Sequence, residues 1–184
     1  TDNDGNITSY TYDTNGNMLA KTEAYGTVDE RTTTYTYNVY GQILTITDPS
    51  GNTTSNTYDQ YGNLASTANA LNHTTTYTYD IMGNLLSMTD ANGNRTTFTY
   101  DSINRLTKTT DPEGNSINYT YDSEGNITSM TIKDSSNNVK ISETYTYDIY
   151  NRLTRTTHLD GTYTEQNYDA IGNVLTKRDE NGDV

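Results

Sequence analysis

Asp2, Asp4 and Asn6 alternate along one stretch of the chain, and Asp179, Asn181 and Asp183 along another. Oxygen donors at alternate positions are how a calcium loop begins. Calcium wants about six to eight oxygens, often with a bidentate Glu, and neither stretch offers a full loop of that kind. An Asp that opens a tight turn accounts for the same residues. His73 and His158 are the only histidines. Each sits where equivalent stretches carry Asn or Asp, and a catalytic or metal-binding His needs a partner with a defined role. The sequence supplies none. Asp29-Glu30 and Asp179-Glu180 are adjacent carboxylates. Glycoside cleavage needs two carboxylates facing each other across a cleft. Neighbours on an extended chain point opposite ways, so these pairs read as solvated surface. There is no Gly-rich phosphate loop, zinc signature or nucleophile elbow. With no Cys there is no disulfide framework and no thiolate. No catalytic, cofactor-binding or metal-ligating residue is assigned, and no cofactor is expected.

The formal net charge of −13 argues against nucleic acid, whose phosphates select Lys and Arg. It argues equally against an anionic membrane surface. No apolar run is long enough to insert in a bilayer. Hydrophobic residues make up only 30% of the chain, yet there are 18 tyrosines, too many for a typical disordered tail. Tyr and the abundant Thr both favour strands. The sequence shows no signal peptide and begins within its own pattern, which suggests a piece of something longer.

That pattern is a repeat. Tyr followed by Asp or Asn recurs at Tyr12, Tyr37, Tyr58, Tyr79, Tyr100, Tyr121, Tyr147 and Tyr168, at spacings of 25, 21, 21, 21, 21, 26 and 21 residues. The unit is therefore 21 residues with two insertions, one at Gly26 to Thr34 and one at Lys133 to Ser142. In the second, Ser135-Ser136-Asn137-Asn138 reads as a longer loop. Each unit carries two turn signals. One follows the Tyr-Asp, as in Asp80-Ile81-Met82-Gly83-Asn84; the other comes about ten residues later, as in Asp111-Pro112-Glu113-Gly114-Asn115. Where Gly is missing, Asn72, Asn104 and Asn151 replace it, and Asn is the next best residue in a left-handed conformation.

Between turns the chain alternates with period two. Tyr77 and Tyr79 share a face with Thr75, and the intervening Thr residues take the other. An aliphatic residue opens each partner segment six places after the repeat Tyr: Met18, Ile43, Leu64, Leu85, Leu106, Ile127, Leu153 and Val174. No stretch has helical periodicity. The fold expected is all-β, a tandem array of eight β-hairpins over residues 1–184, forming a curved or tubular spiralling antiparallel sheet. Tyr faces could stack on sugar rings. A packed ladder is the preferred reading, because the tyrosines approach the aliphatic positions. Asn-x-Ser/Thr triplets at Asn6, Asn52, Asn72, Asn94, Asn118 and Asn126 arise readily in so Asn- and Thr-rich a chain.

The unit x-Tyr-x-Tyr-Asp-x-x-Gly-Asn-Leu, followed by Thr-Asp-x-x-Gly-Asn, resembles the YD or RHS repeat over the whole chain. Such repeats occur in bacterial Rhs and wall-associated proteins, in toxin-complex subunits and in teneurins. The resemblance implies a sheet that spirals into a hollow shell, which in bacterial members can enclose a C-terminal toxin. The core segment that closes such a shell, with Arg-Tyr-Asp-Pro and Gly-Arg-Phe elements, is not found in this sequence. The expected function is a structural scaffold rather than an enzyme: a shell wall or extracellular filament segment of a secreted or cell-surface protein. The alternative is a carbohydrate-binding adhesion surface. Expected partners are neighbouring YD repeats of the same or another chain, a C-terminal toxin of the parent protein, and glycans. Nucleic acid and membrane insertion are not expected.

Overall fold

The computed structural model describes residues 7–180. It contains sixteen strands: β1 Ser9–Tyr12, β2 Met18–Glu23, β3 Arg31–Tyr37, β4 Ile43–Thr47, β5 Thr53–Tyr58, β6 Leu64–Ala68, β7 Thr74–Tyr79, β8 Leu85–Thr89, β9 Arg95–Tyr100, β10 Leu106–Thr110, β11 Ser116–Tyr121, β12 Ile127–Lys133, β13 Val139–Tyr147, β14 Leu153–Thr157, β15 Tyr163–Tyr168 and β16 Val174–Arg178. They follow one another through an open antiparallel sheet in chain order. Hairpin follows hairpin with no crossover. Every even-numbered strand starts on the aliphatic residue that the repeat places there, from Met18 to Val174.

The chain forms two compact units. One comprises Thr1–Tyr79 with Met88–Asn94, and the other Asp80–Ser87 with Arg95–Val184. Within each unit the hairpins obey one register rule. In the first, Thr36 pairs with Thr45 but Tyr37 pairs with Ile43, which leaves Leu44 without an opposite residue. In the second, Thr120 pairs with Ser129 and Tyr121 with Ile127, leaving Thr128 extra. This is a β-bulge, and it places each repeat Tyr beside the aliphatic residue of its own hairpin.

The described turns share one geometry, except the one between β2 and β3, where Ala24 and Gly26 are both left-handed. In the Asp59 turn the Asp59 N–H donates to the Asn63 carbonyl at 2.9 Å, and the Gly62 N–H donates to the Asp59 carbonyl at 3.1 Å. The fourth residue is left-handed, as with Gly62 at φ 88° and Asn104 at φ 65°. Together these make the three-residue hairpin loop in which a β-turn is closed by a left-handed residue. The second insertion departs from expectation. Asp134 to Asn138 closes with the same tight turn, and Asn137 is its left-handed residue at φ 66°. The additional residues lengthen β12 and β13 to 7 and 9 residues instead. Extra rungs of backbone pairing replace the loop, because Asp-Ser-Ser-Asn-Asn satisfies the ordinary turn chemistry.

Among the described residues no apolar side chain is buried; only Ser87 and Ser116 are. The tyrosines that the sequence casts as a packed interior are half-buried on one sheet layer. Without a second layer, cohesion has to run along the sheet, from hairpin to hairpin.

Candidate functional site

The turn-opening Asp is the first device. Asp80 Oδ1 accepts the Met82 and Asn84 N–H groups at 2.9 Å each, and its Oδ2 accepts the Asn84 side-chain amide at 2.8 Å. The same three bonds recur at Asp13, Asp48, Asp59, Asp90 and Asp169. The Asn side-chain amide, then its backbone N–H, hold the carboxyls of Asp13, Asp48, Asp90 and Asp169 below the usual Asp range. These oxygens are spent on the turn. Among the described residues no group of three or more acidic or histidine side chains is placed to hold a metal ion. Asp2, Asp4, Asn6, Asn181 and Asp183 lie outside the described residues. Asn52, Asn94 and Asn126 of the Asn-x-Ser/Thr triplets donate their side-chain amides to Asp48, Asp90 and Asp122.

The repeat Tyr is the second device. Between β4 and β5 the backbone ladder runs from Thr47–Thr53 to Thr45–Ser55 and stops two residues short of Ile43. There the Tyr58 hydroxyl donates to the Ile43 carbonyl at 2.9 Å, and the Asn56 amide joins it at 3.1 Å. The Tyr bond recurs at five further boundaries. Tyr37 donates to the Met18 carbonyl, Tyr100 to Leu85, Tyr121 to Leu106, Tyr147 to Ile127 and Tyr168 to Leu153, at 2.7–3.0 Å. Each hydroxyl thus replaces a missing rung and ties its hairpin to the preceding one. Burial pushes the Tyr37, Tyr100 and Tyr147 hydroxyls above the ordinary phenol range. The opposite face carries hydroxyl pairs, such as Thr36–Thr45 at 2.6 Å and Thr57–Ser66 at 2.7 Å.

A third device joins the Tyr-Asp turns to one another. At five of them the residue closing the turn reaches the next turn along the same edge. In the first unit the Gln42 amide donates to the Gly62 carbonyl at 2.7 Å. In the second unit Asn84 donates to Asn104 Oδ1 at 2.8 Å and Asn126 to Asn151 Oδ1 at 3.0 Å. Arg105 and Arg152 do more. Arg105 donates Nε to Asp101 at 2.7 Å and Nη1 to the Asp122 carbonyl at 2.8 Å, and its guanidinium lies 4.6 Å from the Tyr121 ring centre. Arg152 repeats this with Asp148, the Asp169 carbonyl and the Tyr168 ring. The planar fork allows all three contacts at once.

His73 is exposed at a turn and contributes only its backbone to that turn. His158 is less ordinary. Its Nδ1 is 3.2 Å from Glu143 Oε1, and its Nε2 lies 3.1 Å from Glu180 Oε1 without hydrogen-bond alignment. Tyr145 donates to Glu143 Oε2 at 2.6 Å; burial and then this carboxylate push its hydroxyl upward. The cluster holds β13 to the turn after β14. Glu143 and His158 are 15 residues apart, so only the strand register brings them together. Asp29 and Glu30 are exposed, and Glu30 accepts the Gly26 N–H at 3.0 Å. On the first unit Tyr40 and Tyr61 flank an open hollow lined also by Asn38, Gln42, Asn56 and Gln60.

Solved structures with this fold include the Photorhabdus luminescens Tc holotoxin pore, at TM-score 0.68 and 20% identity over 89% of this chain and 10% of that one. The TcdB2–TccC3–Cdc42 complex matches at TM-score 0.58 and 19% identity, over 87% of this chain and 12% of that one. TcdB2–TccC3 matches at TM-score 0.57 and 20% identity, over 86% and 12%. The chain therefore spans about a tenth of the length of these proteins. No curated protein sequence matches it. The family model for the RHS repeat matches residues 1–28, 58–95, 83–116 and 100–136, which together make up more than half of the sequence, and the chain belongs to the RHS repeat family.

Proposed function

We propose that this chain is a non-catalytic wall segment of a longer secreted or cell-surface protein, in which further RHS repeats continue the sheet into a shell able to enclose a C-terminal toxin. The observation that carries the scaffold reading is the use of the repeat Tyr. Its hydroxyl is committed to the carbonyl of the preceding hairpin at six boundaries. The turn carboxylates are committed as well, each to its own turn. The signature residues of the repeat are thus spent on closing turns and on holding neighbouring hairpins together. The likeness in fold to toxin-complex structures supports a shell over a filament. Electron microscopy of the parent protein tests this: hollow particles are expected, and long fibres with an axial repeat of this segment would replace the shell by a filament.

The hollow between Tyr40 and Tyr61 favours a second reading, a carbohydrate-binding surface. Two exposed aromatic rings beside amide side chains suit a sugar's apolar face and hydroxyls. Saturable glycan-array binding, lost in Tyr40→Ala and Tyr61→Ala, is its expected signature; an empty array removes it.

A further inference from the structure

The tips of the Tyr-Asp turns are apolar where the turn does not require it. In the second unit these tips carry Ile81, Met82, Ile103, Ile149, Tyr150 and Ile171, and the four isoleucines are 80%, 64%, 90% and 86% exposed. The middle positions of such a turn accept most residue types and favour Pro and polar side chains. On the opposite edge of the same unit Pro112-Glu113 and Ser135-Ser136 follow that preference, and Leu159 of Leu159-Asp160 is the single large apolar residue at the corresponding positions. Turn chemistry therefore leaves the isoleucines unexplained. Nor do they support the sheet, since they project beyond the last backbone rung.

The bonds between turns make these tips a fixed row. Asn84 to Asn104, Arg105 to Asp122, Asn126 to Asn151 and Arg152 to Asp169 link five consecutive turns. Successive tips are two strands apart, about 10 Å from the spacing of paired strands. Ser123-Glu124 is the one polar tip in the row.

We propose that this row is a self-complementary docking ridge, and that its occupant is the same ridge of a second copy of the chain. Two rows of knobs with equal spacing interleave about a two-fold axis, which makes a closed, isologous contact. Charge favours this edge. The chain carries −13 overall, and the Tyr-Asp tips of the second unit hold a single charged residue, Glu124. Area sets the strength. Six apolar side chains at on the order of 100 Å² each give roughly 600 Å² per partner, somewhat below the ~800 Å² of a standard stable interface. An interface of this size places the dimer among the weak ones.

Sedimentation equilibrium of the purified chain, from about 5 to 500 μM, reads this directly. The wild type is expected to pass from monomer to dimer, and the Ile103→Asp/Ile149→Asp double variant to remain monomeric throughout. Both substitutions place Asp at turn positions that welcome it, so the far-ultraviolet dichroism should not change. Leu175→Lys tests the competing route, pairing through the edge strand β16, where Leu175 is exposed. It is expected to dimerise as the wild type does. A wild type that stays monomeric, a double variant that still dimerises, or a dimer abolished by Leu175→Lys would each overturn the ridge. None of these outcomes alters the scaffold reading, which rests on contacts within one chain.

Discussion

The contact that most directly tests the scaffold is the Tyr121 hydroxyl on the Leu106 carbonyl, at 2.7 Å. Tyr121→Phe removes that oxygen and keeps the ring. The stack with the Arg105 guanidinium survives, because it needs only the aromatic face. What is lost is one hydrogen bond at a half-buried site. Its net worth is about 1 kcal/mol, and the Leu106 carbonyl regains water at least in part because no second layer covers it. The β10–β11 backbone ladder stops at Lys108–Asn118, so no other rung compensates. Native-state hydrogen exchange is the right assay, since an array of nearest neighbours need not unfold in one step. Amides of β10 and β11 should exchange about fivefold faster, and those of β14 and β15 should not change. Tyr119→Phe, two residues earlier on the same strand and face, is the control, because its hydroxyl spans no hairpin boundary. Equal effects from Tyr119→Phe and Tyr121→Phe, or protection lost across the whole second unit, would refute the argument that the repeat Tyr acts as a local tie.

Arg105→Asn should retain an ordinary turn, as Asn126 does at the next one, but lose the reach to the Asp122 carbonyl and the Tyr121 ring. A loss of about 1–2 kcal/mol, read as a lower urea midpoint, is expected. Gly93→Ala and Gly62→Ala both force a left-handed residue with a Cβ, at roughly 1–2 kcal/mol. Gly62→Ala should cost more, because its Cβ would lie 3.3 Å from the Gln42 amide and disturb that bond between turns, whereas Gly93 has open space. The turn carboxyls have folded pKa values below their unfolded ones. Their contribution is complete above the ordinary Asp value and is lost as pH falls through the folded values. The urea midpoint should be flat from neutral pH to about 5 and fall below about 4; a decline already complete at pH 6 would contradict this. Tyr37, Tyr100 and Tyr147 have raised values, so their contribution is complete below the ordinary phenol range and is lost as pH rises through the folded values. Phenolate absorbance during alkaline titration should rise together with the loss of β dichroism.

Much of the fold can be read from local chemistry. The turns are visible because Asp, Gly and Asn at fixed offsets satisfy a turn from within five residues. The strand starts are visible because an aliphatic residue always follows the repeat Tyr by six. The tie between Tyr121 and Leu106 is not visible, because it depends on where the β10–β11 ladder stops, and that follows from the bulge in the flanking hairpins. His158 is hidden for the same reason: its neighbour Glu143 is set by register and not by spacing. The second insertion misleads for a simpler reason. Ser, Ser, Asn and Asn suit a loop and a tight turn equally, and only the pairing of β12 with β13 decides between them.

The same residues also explain how a chain with so few hydrophobic groups holds together. A conventional domain closes a core between two layers, and the repeat has too few aliphatic side chains to do so. Here six hairpins supply a Tyr hydroxyl to the hairpin before them, and at five Tyr-Asp turns the closing Asn, Gln or Arg reaches the next turn along the edge. Both contacts need a neighbour of the same kind. A lone hairpin therefore has every device of the repeat and nothing to apply it to, and stability must grow with the number of units. A sheet built this way is extended by adding sequence.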